Sequence, residues 1–226
     1  MCIRDRCWVC LGFSGAGRGI IKPNITDLSA EKQVLSAVGQ VSLMSANAEV
    51  FAKHKQICAQ VLATKEDFRD KTHYFNMRTC FENLLASNVV PIVNENDVVA
   101  TTELLFTDND ELAGLVAAQI NAEAAIILTS VDGFLSTNAK TGETKVVSEI
   151  NHRDITKYQA HILPDKTEFG RGGMLTKFSV AKKLTRQGIA VHIASGEQVD
   201  VLLDFCLLYT SPSPRDRTRS RMPSSA

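Results

Sequence analysis

The chain has 226 residues, 44% of them hydrophobic and 22% charged, and its formal net charge is zero. That composition suits one ordinary domain and excludes collagen-like, coiled-coil and disordered classes. No apolar run approaches the ~20 residues of a spanning helix, so no membrane partner is expected.

From about Gly15 to Asp204 the chain alternates amphipathic helices with short apolar strands, the pattern of a layered α/β domain with a largely parallel sheet. Glu31 to Lys53 is predicted helical, with Val34, Leu35, Val38, Val41, Leu43 and Met44 at helical spacing. Ile57 to Leu62 reads as a strand, His73 to Ser87 as a helix with Phe75, Met77, Cys80, Phe81, Leu84 and Leu85 on one side, and Val89 to Val93 as the next strand. Asp108 with Glu111 forms a capping box ahead of Leu112, Leu115 and Val116. Ala125 to Thr129 is a buried strand, and Phe134 to Glu149, broken at Thr141-Gly142, is a hairpin. Met174 to Gln187 is a helix stopped by Gly188, and Ile189 to Ala194 is a final strand. Cys58 and Cys80 sit in apolar contexts and read as core thiols of a reducing compartment. The five histidines show no i,i+4 pairing, so no metal site is expected on them.

Both ends read differently. Cys2, Cys7 and Cys10, with Cys206 as a fourth ligand, match part of an iron–sulfur spacing, and Ser211 to Arg221 is a basic run that suits nucleic acid. A simpler account covers both. Met1 to Asp5 can be encoded by ATG TGT ATA AGA GAC, whose reverse complement contains CTC TTA TAC ACA, encoding Leu207 to Thr210. The ends thus resemble a translated transposon-end adapter of the kind used in sequencing libraries, and such scars are set apart from the fold. Residues 1–14 and 205–226 are therefore expected to be non-native, with 15–204 a partial domain, and no nucleic-acid partner is expected. Residues 1–12 carry two arginines and one aspartate, and residues 206–226 four arginines and one aspartate. The interior keeps 19 basic and 23 acidic residues, a mildly acidic core.

Three interior clusters carry the chemistry, each at the carboxyl end of a strand or the start of a helix, where open parallel sheets bind ligands. Asn94-Glu95-Asn96-Asp97 follows a buried strand, and Thr107-Asp108-Asn109-Asp110 opens a helix. Helix capping needs one of these residues, not four. The acid and amide groups suit a polar ligand bearing its own ammonium. In Phe169 to Lys177, glycines precede a helix, so backbone N–H groups and the helix N-terminus can meet an anion, with Lys177 in reach. It is neither a Walker loop nor a dinucleotide fingerprint. No nucleophile–base pair is evident, which fits phosphoryl transfer to a carboxylate, already ionised at neutral pH with a pKa of ~4.3.

At these clusters the chain resembles the amino acid kinase family, in its glutamate-phosphorylating branch. The segments that carry the resemblance are Ser36-Ala-Val-Gly-Gln40, Val90 to Asp97, Phe106 to Asp110 and Gly170 to Lys177. The resemblance implies a three-layer α/β sandwich with a mostly parallel central sheet. It implies transfer of phosphate from ATP, with Mg2+, to the side-chain carboxylate of L-glutamate, the first step of proline synthesis. By it, Asp97 and Asn109, with Asn94 and Ser14 beside them, bind glutamate. Asp110 organises the phosphate-binding lysines, Thr129 and Ser130 line the nucleotide site, and Arg171, Gly172, Gly173, Met174, Leu175, Thr176 and Lys177 hold the phosphates. Lys177 counters charge on the transferred group. The family is cytoplasmic, oligomeric and often restrained by proline. Ser130 departs from the aspartate usual after the threonine. Ser14-Gly15-Ala16 matches either the family's glutamate loop or, as Gly15 to Arg18, only its downstream part. The first strand with its phosphate-loop lysine and the C-terminal end of the domain have no match, so the chain itself is expected to be inactive. Another amino acid, acetylglutamate or carbamate kinase, or a non-catalytic amino-acid-sensing module, stays open as an alternative.

Overall fold

A computed structural model describes residues 8–9, 17–99, 106, 108–131, 133–137, 144–147, 150, 174–198, 200–203 and 205. In chain order the elements are β1 (Trp8–Val9), α1 (Leu28–Lys53), β2 (Ile57–Ala63), α2 (Lys71–Ala86) and β3 (Val89–Glu95). There follow α3 (Asn109–Gln119), β4 (Ala124–Thr129), β5 (Phe134–Thr137), β6 (Thr144–Val147), α4 (Met174–Arg186) and β7 (Ala190–Ser195). The α/β class and the parallel pairing follow the sequence pattern. One sheet runs β1-β3-β2 and another β4-β7, both parallel, while β5 and β6 make the antiparallel hairpin. Trp8 and Val9, in the segment the sequence sets aside, lie opposite Ile92 and Val93.

Three of the four described helices begin where aspartates cap them. Asp27 accepts from the Ser29 amide, Asp70 from His73 and Asp108 from Glu111. The first two caps start α1 and α2 at Leu28 and Lys71, earlier than apolar periodicity alone indicates. Helices end on left-handed residues. Lys55, Asn88 and Asn121 follow α1, α2 and α3 with φ of 56°, 56° and 51°, and Gly188 follows α4 at 84°. At three of these ends a longer bond closes the turn: Gln56 to the Phe51 carbonyl, Ala122 to Ala117 and Ile189 to Leu184. Such Schellman closures satisfy orphan carbonyls and turn the chain straight into the next strand.

The core has two main clusters joined by α3. Ala63, Phe81, Val93, Phe106, Leu112 and Val116 form one; Ala117, Ile127, Val180, Leu184 and Ile189 form the other. Leu112 and Val116 face the first and Ala117 the second, so α3 is a shared wall. The walls can meet closely because Gly114 has no side chain. A Cβ there would stand 2.8 Å from Val180 Cγ1, inside any real carbon contact. Gly17 similarly lies against α1, where a Cβ would come 2.0 Å from the Leu35 carbonyl oxygen.

Two expectations need correction. Cys80 is exposed and Cys58 only half-buried, so neither is a core thiol, though both are free. Cys80 precedes the buried Phe81 and lies about 100° round α2 from it. Phe75 is likewise exposed, because α2 buries fully only Phe81.

Gly114→Ala should gain ~1 kcal/mol of helix propensity but cost ~1–3 kcal/mol in overpacking, for a net loss of roughly 1 kcal/mol. Urea unfolding of the variant checks this. Lys55→Gly should stabilise by roughly 0.5–1 kcal/mol, because glycine takes the left-handed conformation without a Cβ clash; an unchanged or lower unfolding midpoint would contradict it.

Candidate functional site

The carboxyl ends of the parallel strands supply the site. β3 ends in Asn94 and Glu95, both buried, in register with Leu62 and Ala63 of β2. The Asn96 amide bonds the Ala63 carbonyl at 2.9 Å and keeps the chain against β2 for one residue more. Buried Glu95 accepts from the Phe106 amide at 2.8 Å. That contact anchors the return of the chain ahead of α3. Phe106 packs edge-on to Phe68, with ring centres 5.9 Å apart.

The cluster that opens α3 divides its labour. Asp108 caps the helix through Oδ1. Its Oδ2 is buried with no hydrogen-bond partner among the described residues. Asn109 donates from Nδ2 to Asn94 Oδ1 at 2.8 Å, which ties the start of α3 to the end of β3. Asp110 points instead to α4, where Lys177 Nζ donates to its Oδ2 at 2.6 Å. These side chains are 16% and 13% exposed, so the pair is largely withdrawn from water. Lys177 lies in the first turn of α4, as Asp110 lies in the first turn of α3. Two helix N-termini, each with partial positive charge, thus converge on one ion pair. Burial pushes the Asp110 carboxyl above its ordinary range, and the Lys177 hydrogen bond and charge oppose that rise.

The third group surrounds Asp97. Lys32 Nζ donates to its Oδ1 at 2.6 Å and Ser36 Oγ to its Oδ2 at 3.2 Å, both from α1. Gln33 Nε2 bonds the Val98 carbonyl. Sequence reasoning missed Lys32. A signal existed: Lys32 and Ser36 are four apart on one helical face, and Ser36 opens the Ser36-Ala-Val-Gly-Gln40 segment. It also missed Lys65, just past β2, whose Nζ lies 3.1 Å from Glu111 Oε1 and ties that loop to α3.

Thr129 and Ser130 stand at the carboxyl end of β4. Thr129 pairs with Ser195, and its carbonyl accepts from the Gly196 amide, so its described bonds run to β7 rather than to Asp110 or Lys177. Met174 packs with Phe134 and Phe178, Leu175 is exposed, and Thr176 is half-buried. Ser14, Arg171, Gly172 and Gly173 lie outside the described residues, as do His152 and His161. No helix among the described residues is long and apolar enough to cross a membrane.

Paired amides and an acid thus sit at one strand end, and a largely buried Lys–Asp pair sits at two helix starts. The chain belongs to the amino acid kinase family: the model of that family matches residues 9–195. Among curated relatives it is 51% identical over 193 residues to the glutamate 5-kinase of Chlorobaculum tepidum, covering 84% of this chain and 52% of that protein. It is 42% identical over 196 residues to the glutamate 5-kinase of Bacteroides thetaiotaomicron, covering 86% and 54%. With the glutamate 5-kinase of Nitrosospira multiformis the identity is 42% over 174 residues, covering 76% and 46%. The chain spans about half the length of the curated relatives it matches.

Two outcomes test the ion pair. Lys177→Met should cost ~1–3 kcal/mol of stability, below the 3–5 typical of breaking a fully buried pair, because both side chains keep some water contact. The pH dependence has a definite sign. A raised folded pKa means that Asp110 contributes stability below its unfolded pKa of ~3.9 and that this is lost as pH rises through the folded value. Asp110→Asn, which cannot ionise, should therefore gain stability relative to the unaltered chain as pH rises from ~4 towards neutrality. Unfolding curves across that range measure it.

Proposed function

We propose that the protein transfers the γ-phosphoryl group of ATP to the side-chain carboxylate of L-glutamate, giving L-glutamyl 5-phosphate, the entry to proline synthesis. The observation that carries this is the Lys177–Asp110 pair at the joined first turns of α3 and α4. The glutamate 5-kinases among its relatives support the choice of substrate.

The chemistry asks little of the protein beyond placement. The glutamate carboxylate is ionised at neutral pH, so no base is needed. One of its oxygens bonds to the γ-phosphorus, the bond from that phosphorus to the bridging oxygen breaks, and ADP leaves with the electron pair. Negative charge spreads over the transferred group, and preorganised cations offset it. Lys177 supplies that cation. Asp110 holds its ammonium at a fixed point, and the two helix N-termini add to the field. Asp97, Asn94 and Asn109 hold the amino acid at the end of β3. Thr129 and Ser130 face the nucleotide, with Arg171, Gly172, Gly173 and the first turn of α4 on its phosphates; Ser14 completes the glutamate side. Mg2+ brought in with the nucleotide would neutralise phosphate charge; among the described residues no cluster of His, Cys, Asp and Glu would ligate it independently. The same reading makes the enzyme a cytoplasmic homo-oligomer restrained by proline.

The test is ATP-dependent glutamyl hydroxamate formation from L-glutamate and hydroxylamine by the product of the gene's full reading frame. L-Aspartate, N-acetylglutamate and carbamate serve as rival acceptors. Glutamate should be preferred, and Lys177→Met should lower kcat by ~10²–10³. Preference for a rival acceptor would move the protein to another branch of the family. Amino-acid binding with no phosphoryl transfer to any acceptor would make it a sensing module.

A further inference from the structure

The Asp97 carboxylate is held more elaborately than a turn requires. Lys32 and Ser36 take one oxygen each, and Gln33 grips the neighbouring Val98 carbonyl, so one face of α1 clamps residues 97 and 98. Asp97 is only 12% exposed, whereas Lys32 is 31% exposed, so the pair opens to solvent on the lysine side. A carboxylate offers about four acceptor positions and an ammonium three donors. Their mutual contact and the serine bond therefore leave capacity on both groups.

A free α-amino acid carries the complementary charges on one carbon: an ammonium and a carboxylate. Laid against the Lys32–Asp97 pair in opposite sense, its ammonium meets Asp97 and its α-carboxylate meets Lys32. We propose that Lys32 is a specificity-determining residue that receives the α-carboxylate of the amino acid while Asp97 receives its ammonium. This rests on the reading of Asp97 as an amino-acid contact. The arrangement resolves an electrostatic difficulty. A second ammonium beside Asp97 would be repelled by Lys32 unless a negative group arrived with it, and the α-carboxylate is that group. The pair thus admits the whole zwitterion and resists a cation alone.

The experiment is calorimetric titration of the same full reading-frame product with L-glutamate and with its α-amide, which keeps the side-chain carboxylate and ammonium but loses the α-charge. One charge-assisted hydrogen bond corresponds to roughly 10–100-fold in affinity, and the unaltered chain should prefer glutamate by that factor. Lys32→Met should abolish the preference by weakening glutamate binding alone, and Lys32→Arg should restore part of it. Equal weakening of both ligands in Lys32→Met would mean that Lys32 only props Asp97, and would overturn the proposal. Equal affinity of the unaltered chain for the two ligands would overturn it without any substitution, which covers a variant that fails to fold. If the unaltered chain binds neither ligand, the amino-acid reading of the site falls, and the proposal with it.

Discussion

The Lys177–Asp110 contact at 2.6 Å depends on two helices meeting at their first turns, and they meet because α3 is thin. Its sequence, Asn109 to Gln119, places Gly114 against Val180 of α4, with Ala117 in the core the two helices share. A bulkier α3 would push α4 outward and carry Lys177 away from Asp110. Burial then does two opposed things. It strengthens the attraction between the charges, and it penalises the carboxylate, whose pKa is raised despite its partner. The result is a cation held in place by a desolvated counter-ion, next to two helix N-termini. An anion arriving there meets charge already oriented.

The end of β3 shows the same economy with different groups. Glu95, Asn94 and Asp97 leave one strand within four residues and reach three elements. Glu95 bonds the returning chain at Phe106, Asn94 bonds Asn109 of α3, and Asp97 bonds Lys32 and Ser36 of α1. Polar side chains at a buried strand end are costly unless each finds a partner. Here the partners are themselves residues of the candidate site or their neighbours, so the shape of that site and the stability of the fold rest on the same bonds.

Much of this was legible beforehand. Apolar periodicity located the main helices and strands, and Gly188 and the Asp108–Glu111 box marked two helix ends correctly. The starts of α1 and α2 were missed, since Asp27 and Asp70 cap helices whose first turns carry few apolar residues. Cys80 and Phe75 were misjudged because an apolar stripe on a helix does not say how much of it a neighbour covers. Asn94, Asp97, Asn109 and Asp110 stood out as excess polarity at element ends. Lys32 and Lys65 did not, since a lysine on an exposed helix or loop looks the same whether it faces solvent or a carboxylate.

The alternation of helix and strand, the parallel α/β class and the polar clusters at the strand ends can all be read along the chain. These depend on periodicity, capping and turn chemistry, all local within a few residues. The pairings emerge only once the chain is packed. Asp110 with Lys177 spans 67 positions, Asp97 with Lys32 spans 65 and Asn94 with Asn109 spans 15. Such contacts depend on how closely helices pack and on which first turns converge, and no local pattern encodes that distance.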